Sequence, residues 1–283
     1  MKSLFLSSLL ALGLLAVPAQ AAEYPAKPIT LMTAFNAGGG SDVSHRLLEK
    51  FAKGVFDQPI VVTYKAGAGG EIGWTWLVGA KADGYTIGGV DLPHIVLQPM
   101  LRPEGQPGYK TEQLSPLCGL VYDADVVMVP EDGPYKTFKD LIGYAKANPG
   151  KVKVATVGKL TGDHLFLMQI EKLTGAKFTQ VPYSGSGKAI PALLSGEVDA
   201  YFGSGSSFLR MEKTRGLAIG SKERYELCPD VPTFIEQGYA IESGKYRGLA
   251  TPQNIPAEAR QYLETKFAEL CANPEYQKAV KSS

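Results

Sequence analysis

The 283-residue chain lacks the loops that cradle nucleotides: it contains no GxxxxGK[ST] and no GxGxxG. Its nearest pattern, Gly67, Gly69 and Gly73, is spaced GxGxxxG, so dinucleotide or triphosphate binding is not expected. Cysteine is scarce. Cys118, Cys228 and Cys271 are far apart and form no CxxC, which points away from a zinc site or a disulfide framework. They read as small buried apolar residues, with one disulfide open to them in an oxidising compartment. An excess of one charge is absent too, with 29 basic against 28 acidic side chains. That balance argues against nucleic acid as a partner and leaves no whole-protein field to steer an anion. No G-x-S-x-G elbow is present, so an exported hydrolase using Ser41 or Ser186 lacks an evident base and orienter. His45, His94 and His164 are scattered, and neither a metal site nor a cofactor is expected from them.

Long apolar runs are missing as well, with one exception. Lys2 precedes an uncharged, mostly apolar stretch over residues 4–17, and Ala19-Gln20-Ala21 supplies small residues at a cleavage position. This is the pattern of a secretory signal peptide spanning residues 1–21. The run falls short of the roughly 20 residues of a membrane span, so an exported soluble chain cut after Ala21 is expected. Lys2 is the only charge removed with it, which leaves acid and base equal in number.

What the chain does have is glycine at the ends of strands. The segment TAFNAGGGSDVSHRLLEKF, residues 33–51, runs from a short apolar strand through Gly38, Gly39 and Gly40 into an amphipathic helix. The first N–H groups of a helix have no intrahelical partner and carry partial positive charge, so such a turn can hold a carboxylate or phosphate. Ser41 is expected as N-cap, with Val43, Leu47 and Phe51 as the buried stripe. Taken alone, the turn equally fits a strand-to-helix connection that binds nothing. A second glycine turn, KAGAGGEIGWTWL, follows the strand PIVVTY and opens another helix. Of Trp74 and Trp76 behind it, at most one is expected to reach a cleft.

Short apolar strands alternate with helices along the rest, the pattern of α/β layers with largely parallel sheets. A helix over 138–147 is signalled by Thr137 and Asp140 at capping-box spacing and by Asn148-Pro149-Gly150 as its stop. Another begins near Thr161 and is expected to bury some of Leu165, Met168, Ile170 and Leu173. The last begins at Pro256, with Leu263, Phe267 and Leu270 on one face. The apolar stretch 117–130 is longer than an ordinary strand, and a Pro-, Gly- and charge-rich segment over 220–247 returns the chain to YRGLA. Two crossings of this kind imply two lobes that grip a ligand between them.

The segments YPAKPITLMTAFNAGGGSDVSHR, KAGAGGEIG, ADGYTI, FKDLIGYAKANPGKVKVATVG, TGDHL, VPYSGSGKAIPALLSGEVDAYF and PDVPTFIEQGY follow one another in that order. In this the chain resembles the periplasmic receptors of tripartite tricarboxylate transporters, the Bug-type group, over nearly its whole mature length. The resemblance implies a two-domain periplasmic-binding-protein (Venus flytrap) α/β fold, with residues 22–123 plus 240–283 in one lobe and 124–239 in the other. It further implies a monomer without catalysis or cofactor that captures a small organic acid for membrane permease subunits. A sensor feeding a signalling receptor is the alternative within the same scaffold.

Carried over residue by residue, the resemblance places the ligand carboxylate at Phe35, Asn36, Gly39, Gly40, Ser41 and Asp42 and at Ala68 and Gly69, partly through waters. Asp42 is expected to act through amides or waters rather than on the anion itself. The second lobe would add Thr161, Gly162 and Asp163. Tyr183 is a further hydroxyl donor or a core tyrosine, and Lys159 a partner for a distal carboxylate or an exposed loop residue. Asp163 stands where a small or hydroxyl residue is usual, and Gly203-Ser204 where many members carry an acid. With Asp123 and Asp125, these departures favour a ligand with a cationic or hydroxyl-bearing tail if they face the cleft. The chain ends soon after the helix from Pro256, so a short or missing C-terminal cover of the first lobe is expected.

Overall fold

Strand β1 (Ile29–Thr33) is buried along nearly its whole length, as a strand covered on both faces must be. A computed structural model describes residues 23–103 and 108–282, and the expected leader with its cleavage after Ala21 lies outside the described residues. After β1 come α1 (Gly40–Ala52), β2 (Ile60–Tyr64), α2 (Glu71–Val78), β3 (Thr86–Leu92) and α3 (His94–Leu101). A 17-residue strand, β4 (Leu114–Pro130), follows. Then come α4 (Phe138–Ala147), β5 (Lys153–Thr156), α5 (Gly162–Thr174), β6 (Thr179–Pro182), α6 (Ser186–Leu194), β7 (Ala200–Ser204), α7 (Gly205–Leu209) and β8 (Thr214–Ile219). The chain returns along β9 (Gly244–Pro252) and closes with α8 (Ala257–Ala272) and α9 (Pro274–Lys281).

The strand order is β2-β1-β3-β9-β4-β7-β5-β6, with β8 also on β4. The β1–β2, β1–β3, β5–β6 and β5–β7 pairs are parallel, while β4 and β9 run antiparallel to their neighbours. β4 joins the two halves: residues 114–124 pair with β9, and its later residues pair with β7 and β8. A separate core lies on each side. Ile29, Leu31, Leu48, Ile87, Leu263 and Phe267 pack in the first, and Val127, Phe138, Phe166, Ile170, Phe202 and Phe234 in the second. The two lobes and two crossings read from the sequence are thus in place.

Several local expectations shift. Helix α1 starts at Gly40 with Gly39 as N-cap, and no side chain caps it. Ser41 is not the cap; its hydroxyl donates instead to Asp91 at 2.9 Å. The buried face of α1 is Ser41, His45, Leu48 and Ala52, a helical stripe offset from Val43, Leu47 and Phe51, which are half-buried. The offset arises because polar groups take core positions: His45 Nδ1 and Thr33 Oγ1 lie 2.7 Å apart beneath the sheet. In α5 the buried apolar side chains are Phe166, Leu167 and Ile170, while Leu165, Met168 and Leu173 are exposed. The capping box of α4 forms between Thr137 and Asp140. Past α8, helix α9 covers α1, with buried Tyr276 against Phe51 at 5.6 Å between ring centroids. The first lobe therefore has a C-terminal cover. Cys118, Cys228 and Cys271 are all free thiols.

Candidate functional site

The two crossing strands supply the polar centre of the cleft. Side chains two apart on a strand share a face, so Asp123 and Asp125 of β4 project together, as do Lys245 and Arg247 of β9. Register sets the pairs, since Asp123 lies opposite Lys245 and Asp91 of β3 opposite Arg247. Arg247 donates from Nη1 to Asp123 Oδ2 at 2.7 Å, and its Nε lies 3.4 Å from Asp91 Oδ1. Lys245 bonds Asp125 and reaches across to Asp163 Oδ1 at 2.9 Å. Tyr246, on the opposite face, is 60% exposed and stacks on Tyr122.

All six charged groups are buried, and each carboxylate has further partners. Asp123 accepts from Ser206 N at 3.0 Å and from its hydroxyl at 2.5 Å. Asp125 Oδ2 accepts from Ser243 at 2.6 Å, and Asp163 Oδ2 from Val157 N at 3.0 Å. Burial pushes the Asp91 and Asp125 carboxyls above their ordinary values despite these cations. Burial also acts upward on Asp123, but Arg247 and Ser206 together hold it below. Burial works against the Lys245 ammonium, yet Asp125 and Asp163 hold it above its ordinary range. Asp123 and Asp125 are therefore buried within the ion-pair network, and neither lines the cavity in front of it.

A cavity of about 20 Å³ lies in front of this network, lined among others by Phe35, Gly39, Gly40, Ser41, Asp91, His94, Asp163, Ser186, Ser204, Lys245 and Arg247. Its size suits one water molecule. Both glycine turns of the first lobe are pressed against the second. Gly40 N donates to Ser186 Oγ at 3.3 Å. A Cβ at Gly187 would overlap the Ala37 carbonyl oxygen, so this closeness requires glycine. In the second turn Gly69, at φ 68°, lies against the 158–161 loop: a Cβ there would stand 2.9 Å from Thr161 Cγ2.

Of the residues read from the sequence, Phe35, Gly39, Gly40, Ser41, Asp163 and Ser204 line the cavity. Asp42 stands behind the turn, accepting from Gly38 N at 2.7 Å and from the Tyr64 hydroxyl at 2.6 Å. Asn36, Gly69, Thr161 and Gly162 lie in the seam between the lobes, whereas Ala68 is exposed and its carbonyl accepts from Gln98 of its own lobe. Thr161 caps α5 by accepting from His164 N and donates to Gly158 O at 2.8 Å. Tyr183 is outside the group, its hydroxyl donating to Glu197 at 2.7 Å. Gly203 packs on the Tyr201 ring. Trp74 is a core residue that donates to Gly89 O at 3.0 Å, and Trp76 is partly exposed beneath Lys65. Lys159 is exposed.

The sequence reading missed Asp91, His94, Ser186, Lys245 and Arg247. The alternation Lys245-Tyr246-Arg247, read against Asp123-Ala124-Asp125, was the available signal. His94 is fully buried, and its Nδ1 has no hydrogen-bond partner. Burial, then Lys245 and Arg247, push this imidazole well below its ordinary value, so it is neutral.

Residues 45–283 match the family described as the tripartite tricarboxylate transporter family receptor. The chain belongs to that family. BugT of Bordetella pertussis is 35% identical over 80% of this chain and 70% of its own. A UPF0065 protein from the gbd 5′ region of Cupriavidus necator is 31% identical over 95% and 83%. Among solved structures, the periplasmic binding protein BugD superposes with a TM-score of 0.84 at 28% identity, covering 92% of this chain and 87% of that one. The fold is thus the two-domain flytrap of this receptor family, whose members are solute-binding proteins. Among the described residues, no helix is long and apolar enough to cross a membrane.

Proposed function

We propose that this receptor captures a small organic carboxylate in the periplasm and presents its closed form to the membrane permease subunits of a tripartite tricarboxylate-type transporter. The observation that carries this reading is the convergence of the α1 and α5 N-terminal turns, through Gly39–Ser41 and Asp163, on one buried cavity between the lobes. The lobes are taken as residues 22–123 with 240–283, and 124–239. The α1 turn offers the anion an aligned helix dipole and the Arg247 guanidinium, which lies against Gly40. The ligand acts by preferring the closed state, since equal affinity for open and closed forms shifts nothing.

Binding without turnover fits the serines at the site. Ser41 donates to the Asp91 carboxylate and Ser186 accepts from the Gly40 amide, arrangements that hold the turn and do not prepare a nucleophile. Titration calorimetry against mono-, di-, hydroxy- and amino-carboxylates tests the reading. Saturable one-to-one heat with the acid recovered unchanged supports it. Absence of binding by protein shown to be ligand-free, or hydrolysis of an ester panel, contradicts it.

A further inference from the structure

Resting on the carboxylate-capture reading, we propose that the ligand also carries a cationic group, an amino acid rather than a di- or tricarboxylate, and that Asp163 receives that cation.

The argument starts from space. A cavity of about 20 Å³ holds a water and no more, so an organic ligand must part groups that line it, while the seam at Gly187 and Ala37, outside the lining, stays closed. Lys245 stays with Asp125, because β4 and β9 are neighbouring strands paired through this region. Asp163 is on α5 and reaches Lys245 only across the cleft. With a ligand wedged between them, Asp163 keeps the Val157 amide and loses its cation. A buried carboxylate stripped of its counter-charge is strongly destabilising. A ligand ammonium restores the pair, whereas a ligand carboxylate at the same place adds like-charge repulsion.

The charge balance points the same way. Among the described residues, the ion pairs of Asp91, Asp123, Asp125 and Asp163 are made by Lys245 and Arg247, with Arg210 adding a more distant positive charge near Asp123 only. The imidazole of His94 adds no positive charge, yet its buried, unpartnered Nδ1 belongs to a residue lining the cavity. A neutral imidazole with one nitrogen unused is a hydrogen-bonding group waiting for a polar ligand atom. Each end keeps an acid–base pair, Lys245 with Asp125 and Arg247 with Asp91 and Asp123, so what distinguishes the ends is the acid that a ligand parts from its cation. At one end the Arg247 guanidinium lies against Gly40 at the positive end of α1. At the other stands Asp163, the lining acid that a ligand would part from Lys245. A zwitterion complements both ends.

Calorimetry with a matched five-carbon series decides the matter: pentanoate, glutarate, 5-aminopentanoate, glutamate, ornithine and 1,5-diaminopentane. Protein is first unfolded, dialysed, refolded and shown by mass spectrometry to be empty. The expected result is binding by one or more amino-carboxylates at least tenfold tighter than by pentanoate or glutarate. Asp163→Asn, which keeps an acceptor for Val157 N, should then weaken the amino-carboxylate by about tenfold or more. Glutarate or pentanoate binding as tightly as the amino-carboxylates overturns the proposal and leaves carboxylate capture standing. So does an Asp163→Asn variant that folds and keeps full affinity; should it not fold, the wild-type series alone decides. Binding of the diamine but of no carboxylate overturns both, whereas binding of nothing in the series overturns this proposal and leaves carboxylate capture to the broader acid panel.

Discussion

Lys245 of the returning strand and Asp163 of the fifth helix form a buried ion pair across the interlobe cleft, with Nζ 2.9 Å from Oδ1. The same ammonium bonds Asp125 on the neighbouring strand. One side chain therefore ties a crossing strand to the helix whose N-terminus faces the cavity. The charges that organise the site are the ones that hold the lobes together.

Replacing Lys245 with Met leaves Asp125 and Asp163 buried without a cation, and a loss of about 3–5 kcal/mol at neutral pH is expected. The pH dependence identifies the cause. A buried acid without a partner has a folded-state pKa above its unfolded value, as burial already gives Asp125. It opposes folding least when protonated, so the deficit of the variant should shrink as pH falls toward the carboxylate range and widen above it. Urea unfolding of both proteins across that range checks this. An equal deficit at every pH points to lost packing instead.

His45 makes an acid-sensitive contribution of its own. Burial and, next, Arg247 push its imidazole from 6.5 to about 4. Between those values the unfolded chain binds the proton and the folded one does not, so stability is fully present above 6.5 and is lost as pH falls toward 4. The shift corresponds to roughly 3 kcal/mol. Buried His94 moves in the same direction. Denaturant melts of wild type and His45→Gln should converge as the pH falls; parallel curves contradict the assignment.

Gly187→Ala introduces a methyl group onto the Ala37 carbonyl oxygen across the seam. Because neither core is touched, the melting temperature of the ligand-free variant should change little. Full closure is blocked, so ligand affinity should fall by tenfold or more and ligand should no longer reduce the radius of gyration in solution scattering. Wild-type affinity in the variant means that the seam is not closed in the bound state.

Asp42 and Thr161 hold turns in place from behind. Asp42→Ala frees Gly38 N and the Tyr64 hydroxyl, and Thr161→Ala removes the α5 cap. Each should cost on the order of 1 kcal/mol of stability and weaken binding while the protein stays folded. Unchanged affinity in both variants shows that the turns do not form the site.

The fold was legible because its signals are local. Glycine turns after apolar strands, the Thr137–Asp140 box, and the length of the stretch that became β4 each speak for their own element. The first glycine turn pointed to Gly39, Gly40 and Ser41 of the cavity lining, and the family resemblance added Phe35, Asp163 and Ser204. The ion-pair network was not found, because it depends on register between strands more than 100 residues apart. The sequence shows Asp123 and Asp125, and it shows Lys245 and Arg247, but only the β4–β9 pairing brings them to one face. Ser41 was misread for a related reason: its hydroxyl was assigned to its own helix, whereas β3 places Asp91 within 2.9 Å of it.

The most direct test of the central claim is a thermal-shift screen of ligand-free mature protein against small mono-, di-, hydroxy- and amino-carboxylates. A ligand at ~100 times its dissociation constant adds about 2.7 kcal/mol, which for a chain of this size is a rise of roughly 5–10 °C. The account predicts such a rise from a carboxylate. A chain shown to be empty whose melting temperature no carboxylate moves contradicts it.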